Sequence, residues 1–191
     1  MSGRYMAYVG SYSYTGKAKG ITVFDVDVEK GTFKERCEME VNNSSYVIAS
    51  SDGKTLYSIA DEGVVSFRIL QNGALARLNS APIRGMRGCH LCSDLEDKFI
   101  FVSGYHDGKT TILSLNKDGS VGGIVDGVYD KGYGSVAERN FRPHVTCTRR
   151  MPDNKYVLSV DNGVDQVKIY RFNDKEQKMV QVDAIRCDLE S

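Results

Sequence analysis

Short apolar runs recur along the chain, and a polar turn breaks each one before it is long enough for a helix. The runs are rich in Val, Ile, Tyr and Phe, residue types that favour a pleated strand. No segment sustains an apolar period of 3.6 residues. The clearest copy of the pattern contains four runs: Tyr46–Ala49, Thr55–Ala60, Val64–Ile69 and Leu75–Ile83. The pattern predicts an all-β fold of short antiparallel strands.

This four-strand unit is repeated. The third strand of successive copies begins near residues 64, 110 and 166, at intervals that bracket or slightly exceed the roughly 40–50 residues of a four-stranded propeller blade. The sequence therefore predicts a single partial β-propeller domain over 1–191 with about four antiparallel blades. The predicted boundaries are 6–41 for blade one, 44–83 for blade two, 87–125 for blade three, 126–142 for a long loop and 143–187 for blade four.

Blade one is incomplete at the sequence level. The runs Ala7–Gly10, Gly20–Asp25 and Phe33–Val41 match second, third and fourth strands, and no run before them matches a first strand. No run after blade four remains to supply that strand. We therefore expect an open, incomplete propeller and a chain that is the N-terminal part of a longer protein.

Composition excludes some classes of partner. The chain has 25 basic and 25 acidic residues and a formal net charge of zero, so it has no general attraction to nucleic acid or to an anionic membrane. No apolar run approaches the roughly 20 residues of a membrane span. The segment Met1–Tyr5 leads into strand-like sequence without an apolar signal region, which predicts a cytoplasmic protein.

The cysteines suggest packing and not metal chemistry. Cys89 and Cys92 have the spacing of a metal-binding pair, but residues three apart on a strand point to opposite faces. We expect all five cysteines to be reduced and to act as small apolar side chains. No metal or cofactor is predicted.

Residues capable of chemistry gather at one end of the predicted blades. In an antiparallel blade the start of the first strand, the end of the second and the start of the third share one end. All three histidines occur there, and the opposite end holds ordinary hairpin turns. One end is therefore predicted to bind a ligand, with His90 and His144 pointing towards the central opening. The residues predicted at this end are Glu62, His90, His106, Arg139, Arg142, His144, Asp161 and Asp165.

Each of these residues also has an ordinary structural explanation. A histidine at a strand start is commonly a hydrogen-bonded framework residue, Glu62 and His106 are first of all turn residues, and 161–165 has the composition of an Asx-type turn. His144 differs because Arg142 precedes it and Asp161 faces it across a hairpin. The carboxylates are too few for a hard-metal site, and no nucleotide-binding or esterase motif is present.

Six segments of the chain carry a resemblance to a known family: Tyr8–Tyr12, Ser51–Ser58, Glu138–Asn140, Pro143-His144, Pro152–Tyr156 and Asp161–Val167. They resemble the lactonase family of seven-bladed propellers, the 6-phosphogluconolactonase-like proteins, and the resemblance covers essentially the whole chain. Two departures matter: Thr146 stands where many members have a second histidine, and the later blades, with another Arg-His pair, are absent. At most half of the family's site is expected here.

The resemblance implies hydrolysis of a sugar lactone, 6-phosphoglucono-1,5-lactone, to 6-phosphogluconate in the pentose phosphate pathway. It implies a catalytic group of His144 as base, Arg139 for the oxyanion or phosphate, and Asp161 to orient the imidazole. Arg142, His90, His106, Glu62 and Asp165 are then expected to contact substrate. Inactivity of this chain by itself is one expected outcome. Two alternatives stay open: a cycloisomerase that forms lactones from muconates, and a propeller that only binds other proteins.

Overall fold

The structure is a computed structural model that describes residues 5–134 and 141–188. All regular structure in these ranges is β-strand, and none of them forms a helix long and apolar enough to cross a membrane. The all-β prediction is confirmed. The strands are β1 (Tyr5–Gly10), β2 (Gly20–Asp27), β3 (Thr32–Glu40), β4 (Val47–Ala49), β5 (Thr55–Ala60), β6 (Gly63–Ile69), β7 (Leu75–Ala81), β8 (His90–Ser93), β9 (Phe99–Gly104), β10 (Lys109–Leu115), β11 (Val121–Tyr129), β12 (Val145–Arg150), β13 (Tyr156–Asp161), β14 (Gln166–Asn173) and β15 (Lys178–Arg186).

The strands form four antiparallel sheets, each with its strands in chain order: β1–β3, β4–β7, β8–β11 and β12–β15. We call these sheets blades one to four. The third strands of the four-stranded sheets begin at Gly63, Lys109 and Gln166, within one residue of the positions predicted from the repeat. Blade one is the three-stranded sheet. The architecture is that of an open propeller of four blades, as the sequence predicts.

The apolar core lies between neighbouring blades. All six residues of β5 are buried, because successive residues of a strand point to opposite faces of its sheet and both faces of blade two are covered. Leu56 joins an apolar cluster with Ile21 and Val23 of blade one. Its neighbour Tyr57 points the other way and joins a cluster with Leu91 of blade three.

Blades three and four are joined by apolar and polar contacts. Phe101 and Phe172 meet edge to face, with ring centroids 5.3 Å apart. Beside them the buried Ser103 hydroxyl donates to Thr148 Oγ1 at 2.8 Å, and Thr110 Oγ1 lies 3.3 Å from the same oxygen. These hydroxyls hydrogen-bond to one another, so their burial between the blades leaves none of the three without a partner.

Strand β11 is longer than the sequence indicated. The long loop was predicted to begin at residue 126, but β11 continues to Tyr129, which pairs with Lys109. Asp126, where the loop was predicted to begin, lies within the strand. Its carboxylate binds Lys178 Nζ at 3.0 Å and accepts the Met179 N–H at 2.8 Å, so blade four satisfies it. The structure describes the connection that follows at 130–134 and again from 141.

Candidate functional site

His144 lies directly before β12, with only 7% of its surface exposed. Its Nδ1 is 2.7 Å from the carbonyl oxygen of Tyr105, and the Tyr105 ring stacks on the imidazole at 4.3 Å with planes 15° apart. A carbonyl oxygen can only accept a hydrogen bond, so Nδ1 carries the proton of the neutral imidazole. The lone pair is therefore on Nε2, which is the arrangement a histidine needs to take up a proton.

Asp161 supports the backbone of His144. Its Oδ1 accepts the His144 N–H at 2.8 Å and the Gly163 N–H at 3.0 Å. The sequence led us to expect Asp161 to orient the imidazole, but the described contact to the ring is the Tyr105 carbonyl. Asp161 thus fixes where the residue sits, and Tyr105 fixes which way its ring faces.

The turn after β13 approaches His144 so closely that only glycine fits. A Cβ on Gly163 would lie 2.0 Å from the Arg142 carbonyl oxygen and 2.7 Å from the His144 nitrogen. The Asp-Asn-Gly sequence was considered as a plain Asx-type turn. The structure gives its aspartate and its glycine a shared part in holding the His144 backbone.

A buried charge network lies behind Asp161, and the sequence reading missed it. Lys168 on β14 is 1% exposed. Its Nζ donates to Asp161 Oδ2 at 3.2 Å and to the Lys131 carbonyl at 3.0 Å. It also lies 3.1 Å from Asp130 Oδ2, an ion pair without hydrogen-bond geometry. An alternating strand sequence gave no sign that this lysine points inward.

Asp130 is the second carboxylate of that network. Its Oδ1 accepts the Tyr170 hydroxyl at 2.5 Å. Burial raises the pKa of Asp130 to about 6, against the opposing effects of the tyrosine hydrogen bond and the nearby ammonium. Burial, reinforced by the carboxylate, also raises the pKa of Tyr170. Both effects follow from placing charged groups where water cannot solvate them.

The arginine approach to His144 is only partly described. Arg142 is exposed, and its guanidinium lies 5.4 Å from the centre of the Phe141 ring. Phe141 presents its edge to the His144 ring at 6.5 Å. Arg139 lies in 135–140, outside the described residues. The structure therefore brings Phe141 and Tyr105 to the imidazole, two aromatic neighbours the sequence reading did not select.

His90 is placed differently from His144. Its ring is buried between blades, 4.7 Å from the Tyr46 ring and with Nε2 3.6 Å from Cys147 Sγ. Its Nδ1 accepts the Thr148 N–H at 3.4 Å. Burial, with a smaller effect of the Arg149 charge, lowers the pKa of His90 to about 4. These contacts hold a neutral imidazole between the blades, where it packs as a framework residue.

The remaining predicted residues are spread around the same end. His106 is exposed in the turn after β9, its ring 5.4 Å from that of Tyr105. Glu62 pairs with Arg77 on the outer strand β7 at 3.1 Å. Asp165 is buried and has a left-handed backbone, with φ of 54°. The Tyr105 ring contacts both His106 and His144.

A second polar group at this end spans blades one to three. Arg87 binds Asp61 at 3.0 Å and places its guanidinium 4.8 Å from the centre of the Tyr12 ring. Asn43 donates to the other Asp61 oxygen at 2.7 Å. The sequence reading selected Glu62 at this turn. The adjacent Asp61 is the carboxylate that links the blades.

Within the described ranges no group of three or more metal-ligating side chains could hold a metal ion. Cys89 and Cys92 both contact β12: Cys89 Sγ lies 3.3 Å from the Val145 oxygen, and the Arg150 N–H donates to Cys92 Sγ at 3.4 Å. Burial raises the pKa of the Cys89 thiol to about 11. A thiol that keeps its proton in this way is a poor metal ligand and a poor nucleophile.

Comparison with known proteins places the chain in a family. A model of the lactonase family, described as a 7-bladed beta-propeller, matches residues 6–190. The chain belongs to this lactonase family. The 6-phosphogluconolactonase of Bacillus subtilis (strain 168) is 32% identical over 177 residues, which cover 90% of this chain and 50% of that protein. The chain spans about half the length of the curated relatives it matches.

Solved structures support the same fold. A protein of Bacteroides fragilis NCTC 9343, described provisionally as a 6-phosphogluconolactonase, has a TM-score of 0.87 and 31% identity, covering 96% of this chain and 55% of its own. The periplasmic gluconolactonase PpgL of Pseudomonas aeruginosa also has a TM-score of 0.87, at 22% identity and covering 96% of this chain and 55% of its own. At that identity the second likeness concerns the fold alone.

Proposed function

We propose that the protein hydrolyses the ring ester of a sugar lactone, with His144 as the general base. The observation that carries this is the hydrogen bond between His144 Nδ1 and the Tyr105 carbonyl, because it leaves the Nε2 lone pair for proton transfer. Membership of the lactonase family supports the choice of reaction. The B. subtilis relative is named as a 6-phosphogluconolactonase, so 6-phosphoglucono-1,5-lactone is the substrate we propose.

The chemistry asks for one base and one group of donors. Nε2 of His144 takes a proton from a water molecule while the water oxygen attacks the lactone carbonyl carbon. The carbonyl electrons move onto oxygen and form a tetrahedral oxyanion. When the oxyanion collapses, the ring C–O bond breaks and the leaving oxygen takes the proton back from the imidazolium. One water is consumed, and the hydroxy acid that forms ionises to 6-phosphogluconate with release of a proton.

Two arginines are proposed for the anionic groups. Guanidinium forks match both a phosphate and a developing oxyanion. Arg142 is exposed beside Phe141 and His144, and we assign its guanidinium to the phosphate; Arg139 precedes it by three residues. His90, His106, Glu62 and Asp165 remain proposed contacts of lower priority. The pentose phosphate pathway and a cytoplasmic location are likewise proposals, which rest on the proposed substrate.

A protein-binding role is the second candidate, and a specific observation favours it. Aromatic side chains are exposed in loops at the site end: Tyr12 at 48%, Tyr14 at 77% and Phe141 at 54%. Exposed aromatic rings are typical of protein interfaces. A site that serves only binding has no need of the fixed His144 tautomer, and we therefore place hydrolysis first.

Proton release or uptake separates the candidate reactions. We would follow it at constant pH with 6-phosphoglucono-1,5-lactone, unphosphorylated glucono-1,5-lactone and carboxymuconate, each corrected for its spontaneous reaction. Hydrolysis of a lactone releases a proton, whereas closure of carboxymuconate to a lactone takes one up. The measurement is made on the 191-residue chain and on the product of the complete reading frame. The proposal predicts catalysed hydrolysis of the phosphorylated lactone, with a higher kcat/KM than for the unphosphorylated one. No catalysed reaction with either lactone in either protein would refute it.

A further inference from the structure

Lys168 connects two parts of the site end through one buried side chain. Its ammonium reaches Asp161 on one side and Asp130 with the Lys131 carbonyl on the other, all within 3.2 Å. Asp161 holds the His144 backbone, and Asp130 begins the connection that leads towards Arg139 and Arg142. One buried cation therefore lies between the proposed base and the segment carrying the proposed arginines.

Each carboxylate uses its two oxygens for different tasks. Asp161 accepts the backbone N–H groups of His144 and Gly163 at Oδ1 and the Lys168 ammonium at Oδ2. Asp130 accepts the Tyr170 hydroxyl at Oδ1, and its Oδ2 forms the ion pair with Lys168. Without the lysine, two buried carboxylates would face each other unpaired, and each would move towards water or take up a proton.

The chain offers a contrast at the other end of the same blade. Arg150 is also buried, and it pairs with Asp174 at 2.9 Å and binds the Asn154 side chain at 2.9 Å. Those partners lie in the hairpin turns opposite the site. Arg150 is thus buried with an ion pair as Lys168 is, but its polar side-chain partners among the described residues, Asp174 and Asn154, belong to neither His144 nor the connection.

We propose that Lys168 is a positioning residue, which sets the His144 backbone and the start of the 130–142 connection in a fixed relation by bridging Asp161 and Asp130. The inference rests on the proposed function in one respect only: His144 must be the base for the positioning to matter in catalysis. The positioning itself is a property of the folded chain and can be measured without substrate.

The test compares Lys168→Met, Lys168→Arg and Arg150→Met in the 191-residue chain. Amide hydrogen exchange is followed at 130–134, at 142–146 and at the far ends of β13 and β14. The ¹⁵N shifts of the His144 ring report its tautomer. We expect Lys168→Met to speed exchange at the first two segments at least about 10-fold more than Arg150→Met does, and to weaken the Nδ1–H preference. Lys168→Arg keeps a buried cation and should retain much of the wild-type amide protection and of the His144 tautomer preference.

Asp130→Asn is the second variant, which serves if Lys168→Met does not fold. It keeps the shape of the side chain but removes the charge that draws Lys168 to the connection, so faster exchange at 130–134 is expected. If neither variant changes exchange at 130–134 or 142–146 beyond the effect of Arg150→Met, the inference is wrong.

Activity gives a separate readout. Where lactone hydrolysis is measurable, Lys168→Met should lower kcat by about 10- to 100-fold, the usual cost of a misplaced catalytic group, with a smaller change in KM. An unchanged kcat in an active protein contradicts the inference and leaves the proposed function standing. Conversely, a clear exchange and tautomer effect in a protein that hydrolyses no lactone leaves the positioning standing and refutes the function.

Discussion

Replacing Gly163 by alanine tests the geometry that holds His144. Gly163 does not have a left-handed φ, so available space and not backbone conformation excludes a side chain there. The new Cβ would lie 2.0 Å from the Arg142 oxygen, 2.7 Å from the His144 nitrogen and 2.9 Å from His144 Cδ2. Two of these three atoms are backbone, so a rotamer change cannot relieve the crowding, and the turn must move away from His144.

The size of the effect follows from those distances. Ordinary contacts of a Cβ begin near 3.4 Å, so the turn has to open by more than about 1 Å. Overpacking of this kind costs about 1–3 kcal/mol, and loss of a hydrogen bond between Asp161 and the backbone adds about 1 kcal/mol. We expect Gly163→Ala to lower the free energy of unfolding by about 2–4 kcal/mol.

Urea unfolding followed by circular dichroism measures this loss. With a slope of about 2 kcal/mol per molar urea, the midpoint should fall by about 1–2 M. Gly123→Ala is the matched control, because a Cβ at Gly123 on β11 meets nothing within 4 Å, and its midpoint should change by less than about 0.3 M. Equal midpoints for the two variants would show that the close approach of the turn to His144 is not what the structure indicates.

Two further changes test the contacts between blades. Burial holds the pKa of His90 near 4, below its unfolded value of about 6.5, so its contribution is fully present above pH 6.5 and is lost as the pH falls towards 4. His90→Phe removes this titration, so the free energy of unfolding of the variant should fall by up to about 3 kcal/mol less than that of the wild type between pH 7 and pH 4. His106→Phe, at the exposed histidine, is the control. A pH profile of stability for His90→Phe that runs parallel to that of the wild type would contradict this. Thr148→Val leaves the buried Ser103 hydroxyl without its acceptor and should lower the free energy of unfolding in urea by about 1–2 kcal/mol. The control is Thr15→Val at an exposed threonine, which should cost less than about 0.5 kcal/mol. Equal losses would mean that the hydrogen-bonded hydroxyls between blades three and four contribute nothing to stability.

The fold could be predicted from the sequence because its signals are local and repeated. Each blade requires alternating apolar runs and tight turns in a fixed order, and the repeat shows the order again with every copy. The end of β11 was missed because Asp126 is bound by two groups of the next blade, the Lys178 ammonium and the Met179 N–H. A polar residue whose partner lies 52 residues away resembles a loop residue when only its neighbours in sequence are considered.

The candidate site was predictable only in outline. The shared end of the blades follows from strand direction, which is why His144, Asp161 and Arg142 could be selected together. The contact that sets the His144 tautomer comes from the backbone carbonyl of Tyr105, and a carbonyl has no signature in the sequence. Lys168 could not be selected for another reason. An alternating strand pattern identifies the two faces of a strand, but it does not show which polar residue will form ion pairs with buried carboxylates.

The most direct test of the whole account is the rate of 6-phosphoglucono-1,5-lactone hydrolysis by the wild type and by His144→Ala. Asp161 holds the backbone N–H of His144 and not its ring, so removing the imidazole leaves the turn in place, which circular dichroism and the urea midpoint would verify. The account predicts that kcat falls by about 10²- to 10⁴-fold, the usual contribution of a general base. A folded His144→Ala protein that hydrolyses the lactone as fast as the wild type would contradict it.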